Sequence, residues 1–167
     1  TIIGDNNLLM AYVHIAHNCK VGNNIIMSNC TTLAGHVEVG DRAVLGGFTG
    51  IHQFCKIGCM VMIGGMSKIV KDVPPFIKID GNPARVVGLN SVGLKRNNVS
   101  RESISNIREL YKVFFRSEMN VSQVLEKWPE LVKADDQNVK MFYEFVKQAK
   151  RGVYKRTRRG GAAASED

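Results

Sequence analysis

"VGNNIIMSNCTTLAGHVEVGDRAV", residues 21–44, divides into four groups of six: VGNNII, MSNCTT, LAGHVE and VGDRAV. Each group opens on a large aliphatic side chain, Val21, Met27, Leu33 or Val39. Each continues with a small residue, Gly22, Ser28, Ala34 or Gly40. The register extends in both directions without an insertion. Counting from Ile3, the first positions are Ile3, Leu9, Ile15, Val21, Met27, Leu33, Val39, Leu45, Ile51, Ile57, Ile63 and Ile69. Ten of the twelve fifth positions are compact: Val13, Cys19, Thr31, Val37, Ala43, Thr49, Cys55, Val61, Ser67 and Val73. Neither the helical period nor the simple alternation of a strand gives this pattern. A short strand followed by a sharp turn, repeated, does. The sequence therefore predicts a parallel β-helix built from hexapeptides. Gly, Asn and Asp in "GDNN", "GNN" and "GDR" are expected to occupy the corners, where β-branched residues resist the turn conformation. A β-sandwich would instead show turns about every 8–12 residues, with fewer glycines.

Proteins built from this repeat are triangular prisms wound left-handed. By that likeness three hexads make one coil, and the segment 1–74 makes four coils. The expected fold class is mainly β plus α: a left-handed parallel β-helix followed by a C-terminal helical domain. Tandem proline at Pro74-Pro75 ends the ladder. Residues 75–99 read as a connection with one or two irregular strands around Phe76–Ile79, and "DGNPA" as a turn. The helical domain covers residues 100–150. Ser100 caps its first helix, with Glu102 in the first turn. Ile104, Ile107, Tyr111, Phe114 and Phe115 form its apolar stripe. A second helix is expected from Val121 to Trp128, and a third from Asp136 to Lys150, with Val139, Phe142, Tyr143 and Val146 inward. Residues 151–167 read as a basic, disordered tail.

The chain has 167 residues, 44% of them hydrophobic, enough for a real core. No apolar run approaches the roughly 18 residues of a membrane span, so none is expected. The chain opens on Thr1 in mid-pattern without Met, which reads as a fragment or a processed chain; a lost N-terminus could have carried a targeting signal. Cys19, Cys30, Cys55 and Cys59 lack the CxxC pairs of a zinc site and read as buried free thiols in a reducing compartment.

The four histidines carry the functional signal. Stacking one coil on the next aligns His17, Gly35 and Gln53, each the third residue of its hexad, in one column with steps of about 4.8 Å. His36 adjoins Gly35, His52 adjoins Gln53, and His14 precedes the strand leading to His17. All four gather on one edge of the prism, beside Asn18. Two chemistries fit. Three neutral imidazoles and a water would make a catalytic zinc centre of the gamma-class carbonic anhydrase type. Asn18 and Gln53 are poor zinc ligands, however, and carboxylates are scarce nearby, so no metal is expected. A neutral imidazole acting as general base fits better. With no nucleophile paired to a base, direct transfer to a bound acceptor is favoured over a covalent intermediate.

"NLLMAYVHIAHNCKVGN", "TTLAGHVEVGD", "GGFTGIHQFCKIG" and "VPPFIKIDGNPARVVGLNSVGLKRNNVSRESI" resemble the UDP-N-acetylglucosamine O-acyltransferases of lipid A synthesis. The resemblance runs from Thr1 to about Lys150, without the family's N-terminal coils. It implies transfer of an (R)-3-hydroxyacyl chain from acyl carrier protein to the 3-hydroxyl of UDP-N-acetylglucosamine, without a cofactor. By resemblance His17 is the catalytic base and the Gly35 N–H the oxyanion donor. His14, His36, His52 and Gln53 line the substrate cleft, and Asn90 and Arg96 hold the nucleotide sugar. Gly65 marks the position that limits acyl length, and glycine there implies a longer chain. Members are threefold trimers, cytoplasmic in bacteria and organellar in plants or algae.

Three positions depart from the family pattern. Asn18 stands where Asp commonly supports the base, and an amide orients the ring without stabilising imidazolium by charge. Asn also occupies this place in the related N-acyltransferase of the pathway, which remains a rival, as does an enzyme using acyl-CoA. Val92 replaces an acidic residue and Asn97 an arginine; with Asn18 and the missing coils they leave open an inactive β-helical binding module.

Net charge is +8, and Lys147, Lys150, Arg151, Lys155, Arg156, Arg158 and Arg159 nearly account for it. This stretch reads as a solvated extension. Docking of acidic acyl carrier protein is a second reading, for which Lys56, Lys68, Lys71 and Lys78 on the coils are better candidates. Without aromatic interleaving or a recognisable module, no nucleic acid is expected.

Overall fold

The computed structural model describes residues 1–155. Twelve short strands run from Ile2 to Ile69: β1 (Ile2–Ile3), β2 (Leu8–Leu9), β3 (His14–Ile15), β4 (Lys20–Val21), β5 (Ile26–Met27), β6 (Thr32–Leu33), β7 (Glu38–Val39), β8 (Val44–Leu45), β9 (Gly50–Ile51), β10 (Lys56–Ile57), β11 (Met62–Ile63) and β12 (Lys68–Ile69). Every third strand pairs in parallel. Wall one is β1-β4-β7-β10, wall three is β12-β9-β6-β3, and β2, β5, β8 and β11 lie in wall two. Partners are three hexads apart, as in Ile3↔Val21 and Leu33↔Ile51. The winding is left-handed.

First-position side chains fill the prism. Met27, Leu33, Leu45, Ile63 and Ile69 are fully buried, whereas Ile3 and Leu9 on the first coil are 46% and 39% exposed. Fifth-position Thr31, Thr49 and Ser67 are buried too. The threonine hydroxyls donate to backbone carbonyls, Thr31 to Gly46 O at 3.1 Å and Thr49 to Gly64 O at 3.1 Å. Polar groups are thus tolerated in the core because each has a partner.

The corners differ from expectation in one respect. The residue with positive φ is the fourth of each hexad, from Asn6 to Met66, at 52–66°. None of these eleven is glycine, and none is β-branched; they include Tyr12, His36, Arg42, Phe48 and Phe54. Left-handed backbone costs a non-glycine residue about 1–2 kcal/mol. It turns the fourth amide onto the third carbonyl of the preceding coil: His36 N–H to His17 O at 3.0 Å, Phe54 N–H to Gly35 O at 3.1 Å. The second-position glycines answer a different need. A Cβ at Gly40 would stand 2.7 Å from Cys59 N, and one at Gly46 2.5 Å from Gly65 N. They allow coils to approach rather than the chain to turn.

Beyond Pro75 the chain is more regular than its sequence suggests. β13 (Ile77–Asp80) continues wall two beside β11, and β14 (Arg85–Leu89) returns antiparallel to it. Helix α1 (Ser91–Arg96) follows, where the sequence suggested only connection. One apolar residue, Leu94, is buried from it, too little for a periodic signal. Asn90 supplies the cap, its Oδ1 accepting from Gly93 N.

Ser100 caps α2 (Arg101–Tyr111), which passes into a π-helical turn at Lys112–Arg116. The expected stripe of Ile104, Ile107, Tyr111, Phe114 and Phe115 is buried. The second helix is broken at Lys127 into α3 (Val121–Glu126) and α4 (Trp128–Leu131), because Pro129 sits in a first turn, where proline starts a helix. α5 (Gln137–Lys147) starts directly after its cap, Asp136, and stops short of Lys150. Phe142 is central to the helical end, with ring centroids 5.0 Å from Phe114 and 6.2 Å from Trp128. Ile107, Leu110, Tyr111 and Phe115 face Pro75, Ile77 and Leu89 of the prism end.

Residues 151–155, expected to open a disordered tail, return to the last coil. Asp72 N–H donates to Gly152 O at 3.0 Å and Tyr154 N–H to Asp72 O at 3.2 Å. The rest of the expected tail, residues 156–167, lies outside the described residues.

Candidate active site

The corner from wall three to wall one carries residues 16–19, 34–37, 52–55 and 70–73. His17 and Asn18 stand on its first coil, Gly35 and His36 on the second, His52, Gln53 and Phe54 on the third. His14 faces outward on β3 just before the corner.

The ring of His17 lies directly on the backbone of Gly35. A Cβ at residue 35 would be 2.6 Å from His17 Cε1 and 2.8 Å from Nε2. Only a residue without one leaves room for this ring. On its other side Nδ1 is 2.9 Å from Asn18 Oδ1. An amide oxygen only accepts, so this contact is a hydrogen bond when Nδ1 carries the proton, and in that neutral tautomer Nε2 presents its lone pair. Asn18 is thus placed to favour the tautomer that a general base would need. Gly35 itself is buried, and its N–H makes no hydrogen bond among the described residues.

A row of rings extends from His17. His36 meets it edge to face, centroids 5.2 Å apart at 88°. Phe54 stacks on His36 at 4.7 Å and 18°. Phe54 was given no role from sequence, although it lies one full coil after His36 and in the same fourth position. His52 Nδ1 is 3.2 Å from Gln53 O, which turns this ring along its own coil. His14, His17, His36, His52 and Gln53 are exposed along this edge.

Other expected site residues stand elsewhere on the same chain. Asn90 is buried against the corner between walls one and two, where Nδ2 donates to Met60 O at 2.8 Å and Oδ1 accepts from Gly93 N at 3.1 Å. Each end of its amide thus holds one partner, with one hydrogen and one lone pair left over. Arg96 is exposed in the last turn of α1. Gly65 lies on the third corner, where a Cβ would come 3.3 Å from Gly47 O. One chain thus gathers His17, Asn18, Gly35 and His36 and leaves Asn90 with Arg96, and Gly65, on two other edges. No group of three or more His, Cys, Asp or Glu side chains able to hold a metal converges among the described residues. No described helix is long and apolar enough to cross a membrane.

Residues 72–154 match the model for domain 2 of UDP N-acetylglucosamine O-acyltransferase, and residues 1–35 the bacterial transferase hexapeptide model of six repeats. Acyl-[acyl-carrier-protein]–UDP-N-acetylglucosamine O-acyltransferase of Thermodesulfovibrio yellowstonii is 47% identical over 92% of this chain and 59% of its own length. The enzyme of that name from Rippkaea orientalis is 51% identical over 93% of this chain and 56% of its own. The crystal structure of UDP-N-acetylglucosamine O-acyltransferase from Moraxella catarrhalis superposes with a TM-score of 0.86 at 38% identity, covering 91% of this chain and 59% of that one. The Arabidopsis UDP-N-acetylglucosamine acyltransferase gives 0.83 at 36%, covering 93% and 57%. The chain spans less than two thirds of the length of these relatives. Repeat, prism, helical end and sequence agree, and the chain belongs to the UDP-N-acetylglucosamine O-acyltransferase family.

Proposed function

We propose that the protein transfers an (R)-3-hydroxyacyl chain from acyl carrier protein to the 3-hydroxyl of UDP-N-acetylglucosamine, the first step of lipid A biosynthesis, in the cytoplasm. The observation that carries this is the seat of His17, with Nδ1 tied to Asn18 and Nε2 free above Gly35. Nε2 takes the hydroxyl proton as the sugar oxygen attacks the thioester carbonyl. The Gly35 N–H receives the oxyanion of the tetrahedral intermediate. The C–S bond then breaks, imidazolium returns its proton to the departing thiolate, and ester and free carrier thiol leave. His14, His36, His52 and Gln53 line the cleft, and no cofactor or metal is called for.

Asn90 and Arg96 binding the nucleotide sugar, and Gly65 limiting the acyl chain, require a neighbour, since these residues stand on other edges of their own chain. A threefold homotrimer with its cleft between chains supplies one. The outward strip of wall two supports it: Leu8 and Met62 are exposed, Ile26 and Val44 half-buried, and all are apolar.

The test is product chemistry. UDP-N-acetylglucosamine and hydroxyacyl carrier protein should give a 3-O-ester cleaved by mild base. A base-stable amide formed only on UDP-3-O-acylglucosamine would favour the N-acyltransferase, whose active-site asparagine Asn18 shares.

A further inference from the structure

The basic residues at the C-terminal end of the prism have a definite address on the histidine edge. Asp72 falls one coil after Phe54, in the column of Asn18, His36 and Phe54. On it the segment after α5 is fastened, through Gly152 O and the Tyr154 amide, while the Tyr154 hydroxyl accepts from Val70 N at 3.0 Å. Lys155 secures the far end, donating to Phe114 O at 2.6 Å with its ammonium 5.4 Å from the Phe114 ring centre. This strap brings Lys150 and Arg151 beside Lys56 and Lys71: Lys56 N–H and Arg151 N–H both reach the Asp72 carboxylate, at 2.8 and 3.4 Å.

The local acids offset these charges only in part. Asp72 is 1% exposed, with its carboxylate turned to those two amides. Glu38 is shared between Lys20 at 3.8 Å and Lys56 at 3.3 Å. Lys71, Lys150 and Arg151 are exposed and make no ion pair among the described residues. From the His17 level to the Lys71 level, through Gly35 and Gln53, are three strand spacings, about 14 Å. An extended pantetheine arm covers that span.

We propose that Lys56, Lys71, Lys150 and Arg151 form the docking surface for the acidic face of the acyl carrier, whose arm then runs down the histidine edge to His17. The inference rests on the reading that the donor is a carrier-bound thioester. Like charges on the surface steer the acidic partner and set its orientation. The carrier meets the strap, and the nucleotide sugar does not.

The experiment compares wild type with Lys71→Glu/Lys150→Glu, which touches neither the Asp72 bonds nor the histidines. A second variant, Lys71→Gln/Lys150→Gln, tests charge without reversal. Holo-acyl carrier protein is titrated directly for Kd, and transfer is followed with hydroxyacyl carrier protein and with hydroxyacyl-pantetheine. The account expects Kd and KM for the carrier to rise tenfold or more on charge reversal, and less on neutralisation. KM for UDP-N-acetylglucosamine, turnover of hydroxyacyl-pantetheine and thermal midpoint stay unchanged. Unchanged carrier Kd and KM overturn the proposal. So does loss of binding to phosphatidylglycerol vesicles with carrier affinity intact, which would make the patch a membrane contact. Failure of wild type to acylate with either donor would strike the acyl-transfer reading instead, while carrier Kd still decides the docking surface.

Discussion

Adding one methyl group at residue 35 should abolish catalysis while leaving the fold intact. In Gly35→Ala the new Cβ would lie 2.6 Å from His17 Cε1 and 2.8 Å from Nε2. Carbon atoms in contact prefer about 3.5–4.0 Å, so one partner must move by roughly an ångström. The backbone at 35 is tied to the third coil by Phe54 N–H at 3.1 Å. His17 is an exposed side chain and yields first. Rotation off its rotamer costs about 0.5–1.5 kcal/mol, with about 1 kcal/mol more for the Asn18 hydrogen bond, so thermal stability should fall only slightly. Activity should fall much further. A misplaced general base forfeits about 10²–10⁴-fold, and disturbance of the oxyanion donor adds to it. Gly50→Ala is the internal control, since a Cβ there meets nothing within 4 Å. The assay pairs acyl-transfer rates with long-range ¹H–¹⁵N spectra of the histidine rings. Gly35→Ala should lose the single Nδ1–H tautomer of His17, and Gly50→Ala should keep both tautomer and rate. Full activity in Gly35→Ala, or a large drop in Tm without loss of rate, would refute the reasoning.

Further expectations concern the rest of the molecule. Phe54→Leu should slow transfer several-fold by removing the ring stacked on His36, and Phe54→Tyr should restore it, with KM for both substrates nearly constant; equal rates in the two variants would contradict this. Phe142→Ala empties the centre of the aromatic cluster and should cost about 3–5 kcal/mol in denaturant unfolding. Burial opposes ionisation of Asp136, but hydrogen bonds from Asn106, Ser103 and the amides of Val139 and Asn138 outweigh it and hold its carboxyl below the ordinary value. Its stabilising effect is therefore present above the unfolded pKa and lost as pH falls through the folded one. Asp136→Ala should cost about 0.5–2 kcal/mol near neutral pH, shrinking toward nothing in acid; a pH-independent cost would contradict it. Burial pushes the Cys59 thiol up to about 12, so that little thiolate is present at pH 8. Iodoacetamide should label it only after denaturation, as read by mass spectrometry.

Much of the prism was legible because its cause is local and periodic. A first-position aliphatic residue must face the interior, and twelve in register call for a repeating coil; the triangular section and the left hand come from likeness to proteins of this repeat. The histidine column follows from the same count, since one coil carries His17 onto Gly35 and a second carries it onto Gln53. Other features depend on contacts that a single strand of text does not display. Gly40 and Gly46 look like corner glycines, yet their constraint comes from the next coil, whereas the true left-handed positions accept His36 or Phe54 because an inter-coil hydrogen bond compensates. Helix α1 rests on Asn90 and one buried leucine, a cap and an anchor rather than a stripe. The strap at residues 151–155 has the composition of a tail and is ordered by Asp72, 79 residues away from Arg151. Phe54 gains meaning only once its ring is seen against His36. Asn90, Arg96 and Gly65 stand on other edges of the chain than His17, and for this reason the proposed site calls for a second copy.

The central claim is that the His17 imidazole removes the proton from the sugar hydroxyl. Its most direct test is the single-turnover rate of ester formation, with both substrates saturating, in wild type and His17→Ala. The account predicts a fall of at least about 10²-fold in that rate with both substrates still bound. A His17→Ala protein that forms the ester at the wild-type rate would contradict it.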